Sequence, residues 1–289
     1  MSSHSDYGLL KKVFIKSPEA AFINQKLIDQ QWEVLNYASR PEMNRAIEEY
    51  KHFESLLSSR GAELLYFSAN DEVSIDSLYC RDATIVTDHG VILCHMGKAQ
   101  RIPESIACRE DYLSHGIPIL GKIKSPGCIE GGDVAWIDQN TLAVAHGYRT
   151  NDDGFAQLKE ILHPLNISLI QVDLPHFKGP SDVFHLMSIF SPVDEYKAVV
   201  YSPLMPVRFR TELLDRGYDL IEVPEKEYDT MGCNVLAIAP SECIMVSGNP
   251  VTKARLEAAG CIIHEYDGEH ISRKGEGGPT CLTRPLLRI

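Results

Sequence analysis

Cys281 stands at the end of Lys274-Gly-Glu-Gly-Gly-Pro-Thr-Cys281, where three glycines and a proline lead into one thiol. Glycine and proline at that density describe a loop that brings backbone close to a neighbour. A thiol at the end of such a loop is one a ligand can reach. Three other stretches carry groups that a thiol can use. They are Asp82 in Leu78-Tyr-Cys-Arg-Asp82, the pair in Glu130-Gly-Gly-Asp133, and His185 in Val183-Phe-His-Leu-Met-Ser188. The intervals are 48 residues from 82 to 130, 55 from 130 to 185, and 96, near two such intervals, from 185 to 281. Carboxylates, an imidazole and a thiol at one point make a nucleophilic constellation. Each alone has an ordinary use, since Gly-Gly-Asp suits a turn and a lone cysteine packs well in a core. Their common phase is what points to chemistry.

That phase belongs to a repeat. Asp82-Ala-Thr-Ile-Val-Thr-Asp-His-Gly-Val-Ile-Leu-Cys-His95 reads as an apolar strand, a turn and a second apolar strand. The same hairpin pattern starts again at Asp133, Leu186 and Asn234, so the starts lie 51, 53 and 48 residues apart. Amphipathic helices follow at 154–162, 208–216 and 250–259, each leading to a short strand at 167–172, 219–223 and 261–266. An early unit has a strand at 12–15, a helix at 43–60 and a strand at 63–67, and the C-terminal stretch completes the last unit. About five such units, none able to bury its own apolar face, are expected to stack side by side and close on themselves. In that ring the first strand of each unit begins near the axis, so residues of matching phase converge. No composition break divides the chain, and a single α/β domain over 1–289 is expected.

Composition narrows the partners. The 289 residues are 44% hydrophobic and 24% charged, with a formal net charge of −12. That balance disfavours nucleic acid and anionic membranes and suits a cationic small molecule. No apolar run reaches the length of a bilayer span, and the start of the sequence lacks signal-peptide character. The eight cysteines include no Cys-x-x-Cys, so reduced thiols and a cytoplasmic setting are expected. There is no Gly-x-Ser-x-Gly, no P-loop, no His-Glu-x-x-His and no zinc spacing, and no metal or organic cofactor is expected.

Taken together, Glu130-Gly-Gly-Asp-Val, Gly147-Tyr-Arg149-Thr-Asn151, His185-Leu and the terminal Gly-Gly-Pro-Thr-Cys281 resemble the guanidine-modifying penteins. These are the dimethylarginine dimethylaminohydrolases, arginine deiminases and amidinotransferases. The resemblance implies a five-bladed β/α propeller with pseudo-fivefold repeat, and Cys281 as nucleophile. By the same resemblance His185 is the general acid and base, and Glu130 its carboxylate partner or a partner of the guanidinium. Asp82 holds the guanidinium nitrogens and Asp133 lies with the substrate-binding set. Asp76 reaches the substrate's amino end, while Arg101 and Arg149 bind its α-carboxylate from the pocket mouth.

The dimethylarginine hydrolase branch fits best. The length is one propeller without insertion, and His185-Leu-Met187 lacks the aspartate that arginine deiminases place two residues after the histidine. The expected reaction is hydrolysis of N-omega-methylated arginine to citrulline plus methylamine or dimethylamine. Arginine deimination, amidino transfer and a non-catalytic pentein binding module are the alternatives. The expected partner is a small cationic guanidine, and the expected assembly, if any, is a homodimer.

Overall fold

Residues 3–289 are described by a computed structural model of the chain. Fifteen strands form five three-stranded sheets. β1 (Leu10–Ile15) and β2 (Glu63–Tyr66) come from the N-terminal part of the chain. Then follow β3 (Thr84–Thr87), β4 (Gly90–Leu93) and β5 (Ile119–Lys122), and after them β6 (Val134–Asp138), β7 (Thr141–His146) and β8 (Ser168–Asp173). Next come β9 (Phe190–Asp194), β10 (Lys197–Val200) and β11 (Asp219–Glu222), then β12 (Leu236–Ala239), β13 (Glu242–Val246) and β14 (Ile262–Tyr266). Finally β15 (Thr283–Arg288) returns to pair with β1.

Every sheet has an antiparallel pair and a third strand parallel to its middle one. In four of them a tight hairpin makes the pair and a crossover brings in the third strand, as in β6, β7 and β8. Such a crossover needs a connection long enough for a helix. Asp152–Leu162 supplies it here, capped by the Asn151 side chain accepting from Gly154 N–H, with Leu158 and Leu162 turned inward. Burial falls from first strand to third. β3 is buried at all four positions and β6 at four of five, while β5 and β8 are half-buried or exposed through most of their length. The hairpins are apolar on both faces because both faces are covered.

The fifth sheet joins the two ends of the chain. Register runs from Leu10 opposite Arg288 to Ile15 opposite Thr283, and β2 adds in parallel to β1. Between β1 and β2 lies the helix Met43–Ser58, which buries Ala46, Tyr50, Phe53 and Leu57 along one face. First strands of different sheets pack together, β9 against β6 and β12, and β15 against β3. The residues just before those strands are therefore gathered in one place. Among the described residues no helix is long and apolar enough to cross a membrane.

Candidate active site

Cys281 lies two residues before β15 and Asp82 two before β3. Glu130 and His185 each precede a single 3-10 turn, Gly131–Asp133 and Leu186–Ser188, that leads into β6 and β9. The two turns pack on one another. A cleft of about 610 Å³ is lined by His185, Met187, Asn234, Glu276 and Cys281. A second cavity, lined by Asp76, Tyr79, Asp82, Lys98, Arg101, Arg149 and Cys281, opens on the other side. Cys281, Val183 and Glu276 belong to both walls, so the thiol faces two subsites.

His185 and Glu130 form a tight pair, Nε2 to Oε2 at 2.7 Å. Glu130 also accepts from Arg149 Nη1 at 3.3 Å and from the Lys98 backbone N–H at 3.0 Å. Burial penalises both charges, yet they hold each other. His185 is raised to about 9 against that burial, by the charges of Asp82 and Asp133 and by Glu130. Glu130 is held well below the usual carboxylate range despite its burial, first by the hydrogen bond and charge of His185 and then by Arg149 and Arg101. The imidazole is thus charged at neutral pH, ready to give a proton.

The thiol is held in its neutral form. Cys281 is 7% exposed, and burial, followed by the charge of Asp82, pushes its thiol up. Low dielectric and a nearby anion both disfavour a second negative charge. One oxygen of Asp82, Oδ2, accepts from Arg101 Nη1 at 2.6 Å. The other, Oδ1, is buried without a hydrogen-bond partner. A buried anionic oxygen with no donor is costly. It asks for an N–H donor carrying positive charge.

Both arginines sit deeper than the pocket mouth expected of them. Each is 3% exposed. Arg101 bonds to Glu104 through Nε and Nη2 at 2.9 and 2.8 Å, to Asp82, and to the Tyr79 carbonyl at 2.8 Å. Its donors are turned onto the protein, and its evident work is to hold Asp82. Burial lifts Glu104 to about 7 even against Arg101. Arg149 gives Nη1 to Glu130 and Nη2 to the Asp182 carbonyl at 2.8 Å. The reason is electrostatic: a buried guanidinium must find carboxylates and carbonyls. Asp133 likewise has both oxygens occupied, by Thr150 Oγ1 at 2.7 Å and the Leu186 N–H at 3.2 Å. It ties the segment after β7 to the turn after His185.

Asp76 lines the second cavity and accepts from Lys98 Nζ at 2.7 Å. The sequence reading did not single out Lys98, although it follows β4 much as Arg149 follows β7, and that shared offset was a usable signal. Its ammonium also donates to the Leu35 carbonyl at 2.8 Å. Asp82, Glu130 and His185 place ligand atoms within 4.8 Å of one another. Such a donor set suits a divalent cation or a guanidinium, and Arg101 and Arg149 already bring positive charge to its carboxylates.

Gly132 permits this packing. A Cβ there would lie 2.6 Å from Asp82 Oδ1 and 2.7 Å from His185 Nδ1. Gly132→Ala is therefore expected to displace both groups and lower saturated turnover roughly a hundred-fold, the cost of about 1 Å of misplacement. Turnover within a few-fold of native would show that neither group needs its present position.

Residues 14–288 match the family described as N,N dimethylarginine dimethylhydrolase, eukaryotic. The uncharacterized protein YkgA of Bacillus subtilis is 28% identical over 284 residues, 98% of this chain and 94% of its own. The arginine deiminase of Listeria welshimeri is 27% identical over 253 residues, 73% of this chain, which spans only 61% of that relative. Among solved structures, the DDAH from Pseudomonas aeruginosa complexed with citrulline superposes with a TM-score of 0.78 at 21% identity, over 97% of this chain and all of that one. The N-terminal domain of ArgZ, an arginine dihydrolase from cyanobacteria, bound to product, gives 0.80 at 17% identity, covering 96% and 97%. At such identities the structural likeness speaks for the fold.

Proposed function

Because the chain belongs to the eukaryotic N,N dimethylarginine dimethylhydrolase family, we propose that it hydrolyses a guanidino C–N bond in arginine-type substrates. The preferred substrate is N-omega-methylated arginine, released as citrulline plus methylamine or dimethylamine. The observation that carries this reading is the buried, donorless Asp82 Oδ1 in a wall shared with Cys281. A guanidinium edge supplies the charged N–H that this oxygen lacks. The five sheets are read as the blades of one closed propeller, a single catalytic domain whose axis holds the site.

A guanidinium carbon is a poor electrophile because three nitrogens share its charge. Asp82 fixes the cation in place, and its arrival offsets the anion that holds the thiol protonated. Cys281 releases its proton to solvent, His185 being already protonated, and the thiolate forms an S–C bond with the guanidinium carbon. As the tetrahedral adduct collapses, the C–N bond breaks and the His185 imidazolium passes its proton to the departing amine. Neutral His185 next takes a proton from water, whose oxygen attacks the same carbon. The S–C bond breaks, freeing the thiol and the ureido product. Glu130 keeps His185 oriented through both proton transfers and favours its charged form before the first and after the second.

A substrate panel tests the reading: arginine, its monomethyl and asymmetric dimethyl forms, and agmatine, with ammonia, methylamine and dimethylamine measured separately. Dimethylamine with equimolar citrulline is expected. Ammonia from arginine as the dominant product would move the protein to the deiminase reading, which the Listeria relative favours. Arg149 decides the tail of the substrate. Arg149→Ala is expected to raise KM for an α-amino acid substrate roughly ten- to a hundred-fold, the loss of a charged hydrogen bond. KM for agmatine, which has no carboxylate, should change far less. Equal losses for both would restrict Arg149 to holding Glu130.

A further inference from the structure

The phase that gathers Asp82, Glu130, His185 and Cys281 leaves one sheet without a chemical group. The interval of 96 residues between 185 and 281 is divided by residue 234 into 49 and 47. Asn234 stands two residues before β12, the same offset as Asp82 from β3 and Cys281 from β15. It is 6% exposed and lines the cleft with His185 and Cys281. We propose that Asn234 is a further catalytic group, whose side-chain amide donates to the Cys281 sulfur and stabilises the thiolate for attack. The proposal rests on the reading of Cys281 as nucleophile.

The geometry fixes which end of the amide faces the sulfur. The Thr280 backbone N–H, which can only donate, lies 3.0 Å from Asn234 Oδ1. The oxygen must therefore face Thr280, and the NH₂ must face Cys281 Sγ, 3.4 Å away. Thr280 Oγ1 is 3.8 Å from the sulfur, but at 2.9 Å it gives its one proton to Asn234 Oδ1. The Cys281 N–H is spent on the Gly278 carbonyl at 3.0 Å. Nδ2 is thus the N–H donor on the sulfur among the described residues.

The approach is also built in. A Cβ at Gly278 would come within 2.4 Å of the Asn234 amide, so the glycine lets the cysteine loop close onto it. On the other side the Asn234 N–H is held by the Met231 carbonyl at 3.0 Å. The neighbouring segment is pinned by Ser191 Oγ, which donates to the Cys233 carbonyl at 2.7 Å and accepts from Val235 N–H at 3.3 Å. Burial and Asp82 work against the thiolate. A fixed donor that bonds better to the anion than to the thiol works for it.

Asn234→Asp keeps both Thr280 contacts but replaces the donor with a negative charge near the sulfur. Asn234→Ala removes the donor without adding charge, and so measures the donor alone. The readout is the pH dependence of Cys281 alkylation by iodoacetamide, followed by mass spectrometry of the peptide that contains Cys281. No substrate is present, so the result does not depend on which guanidine the enzyme accepts. The midpoint is expected to rise by about one to two pH units, the worth of a hydrogen bond to a charged group. At neutral pH alkylation then slows roughly ten- to a hundred-fold, and the loss in turnover is partly regained at higher pH. Asn234→Asp should move the midpoint in the same direction. In the native chain the Asn234 side-chain amide proton resonances should shift with the same midpoint as Cys281, which needs no variant to fold. A folded variant with the native midpoint, or an amide that ignores the cysteine titration, overturns the proposal. A shifted midpoint in a protein inactive on every guanidine would instead remove the proposed substrate and leave Asn234 in place.

Discussion

Cys281→Ser is expected to melt like the native chain and to lose at least about three orders of magnitude in turnover. The fold should survive because one oxygen replaces one sulfur at a site where Asn234 can still donate. Turnover should not, because a serine hydroxyl near neutral pH is a far weaker nucleophile than a thiolate. The other seven thiols cannot stand in. Burial pushes the thiols of Cys80, Cys108 and Cys233 up, and although Cys233 lines the cleft with His185, none of the seven lines the cavity that holds Asp82. The measurement is ureido product formed per enzyme over hours, with the thermal midpoint as the folding control. A serine variant that keeps a tenth of native activity would end the covalent mechanism, whatever the substrate.

Glu130→Gln carries the second large effect, and it has a pH signature. In the native chain the charges of Asp82 and Asp133, with the hydrogen bond and charge of Glu130, keep the His185 proton to about 9 against its burial. A neutral amide can accept one hydrogen bond but offers no charge, while the burial that opposes the imidazolium remains. The alkaline limb of the rate profile should therefore move down by roughly one to two units, and turnover at pH 8 should fall roughly two- to ten-fold through that shift. Stability follows the same linkage. His185, raised above its ordinary 6.5, contributes stability that is full below that value and is lost as pH rises through about 9. Glu130, held below its ordinary 4.5, contributes stability that is present above that value and lost as pH falls through its depressed range. The difference in stability between native and variant should thus be greatest between pH 4.5 and 6.5. A constant difference from pH 4.5 to 9 would mean that the pair is not a coupled charge pair.

The repeat itself was written in the chain. Hairpins and crossover helices follow from short-range rules, alternation of apolar residues, turn chemistry and helix caps, whereas the pairing of β15 with β1 joins the two ends of the chain and does not. The starts at 82, 133, 186 and 234 place β3, β6, β9 and β12 within a few residues. Because equal units repeat equal geometry, the same phase located the stretch where Asp82, Glu130, His185 and Cys281 meet. The phase also marked Asn234, as a strand start without an assigned role.

What the linear order could not decide was how the buried charges share one another. Arg101 turned from an expected substrate contact to Asp82 and Glu104, Asp76 took Lys98, and Arg149 divided itself between Glu130 and a carbonyl. These partners lie 3 to 33 residues apart in sequence, on separate elements or turns. Which ones meet depends on rotamers and on a competition for donors in a low dielectric, where an unpaired charge costs several kcal/mol. The acidity of Cys281 is of the same kind. A glycine-rich loop before a cysteine can be read from residue types, but its thiol is pushed up by burial and by an aspartate 199 positions away. Only the assembled walls of the site set that balance, because it is a sum over neighbours that no local pattern encodes.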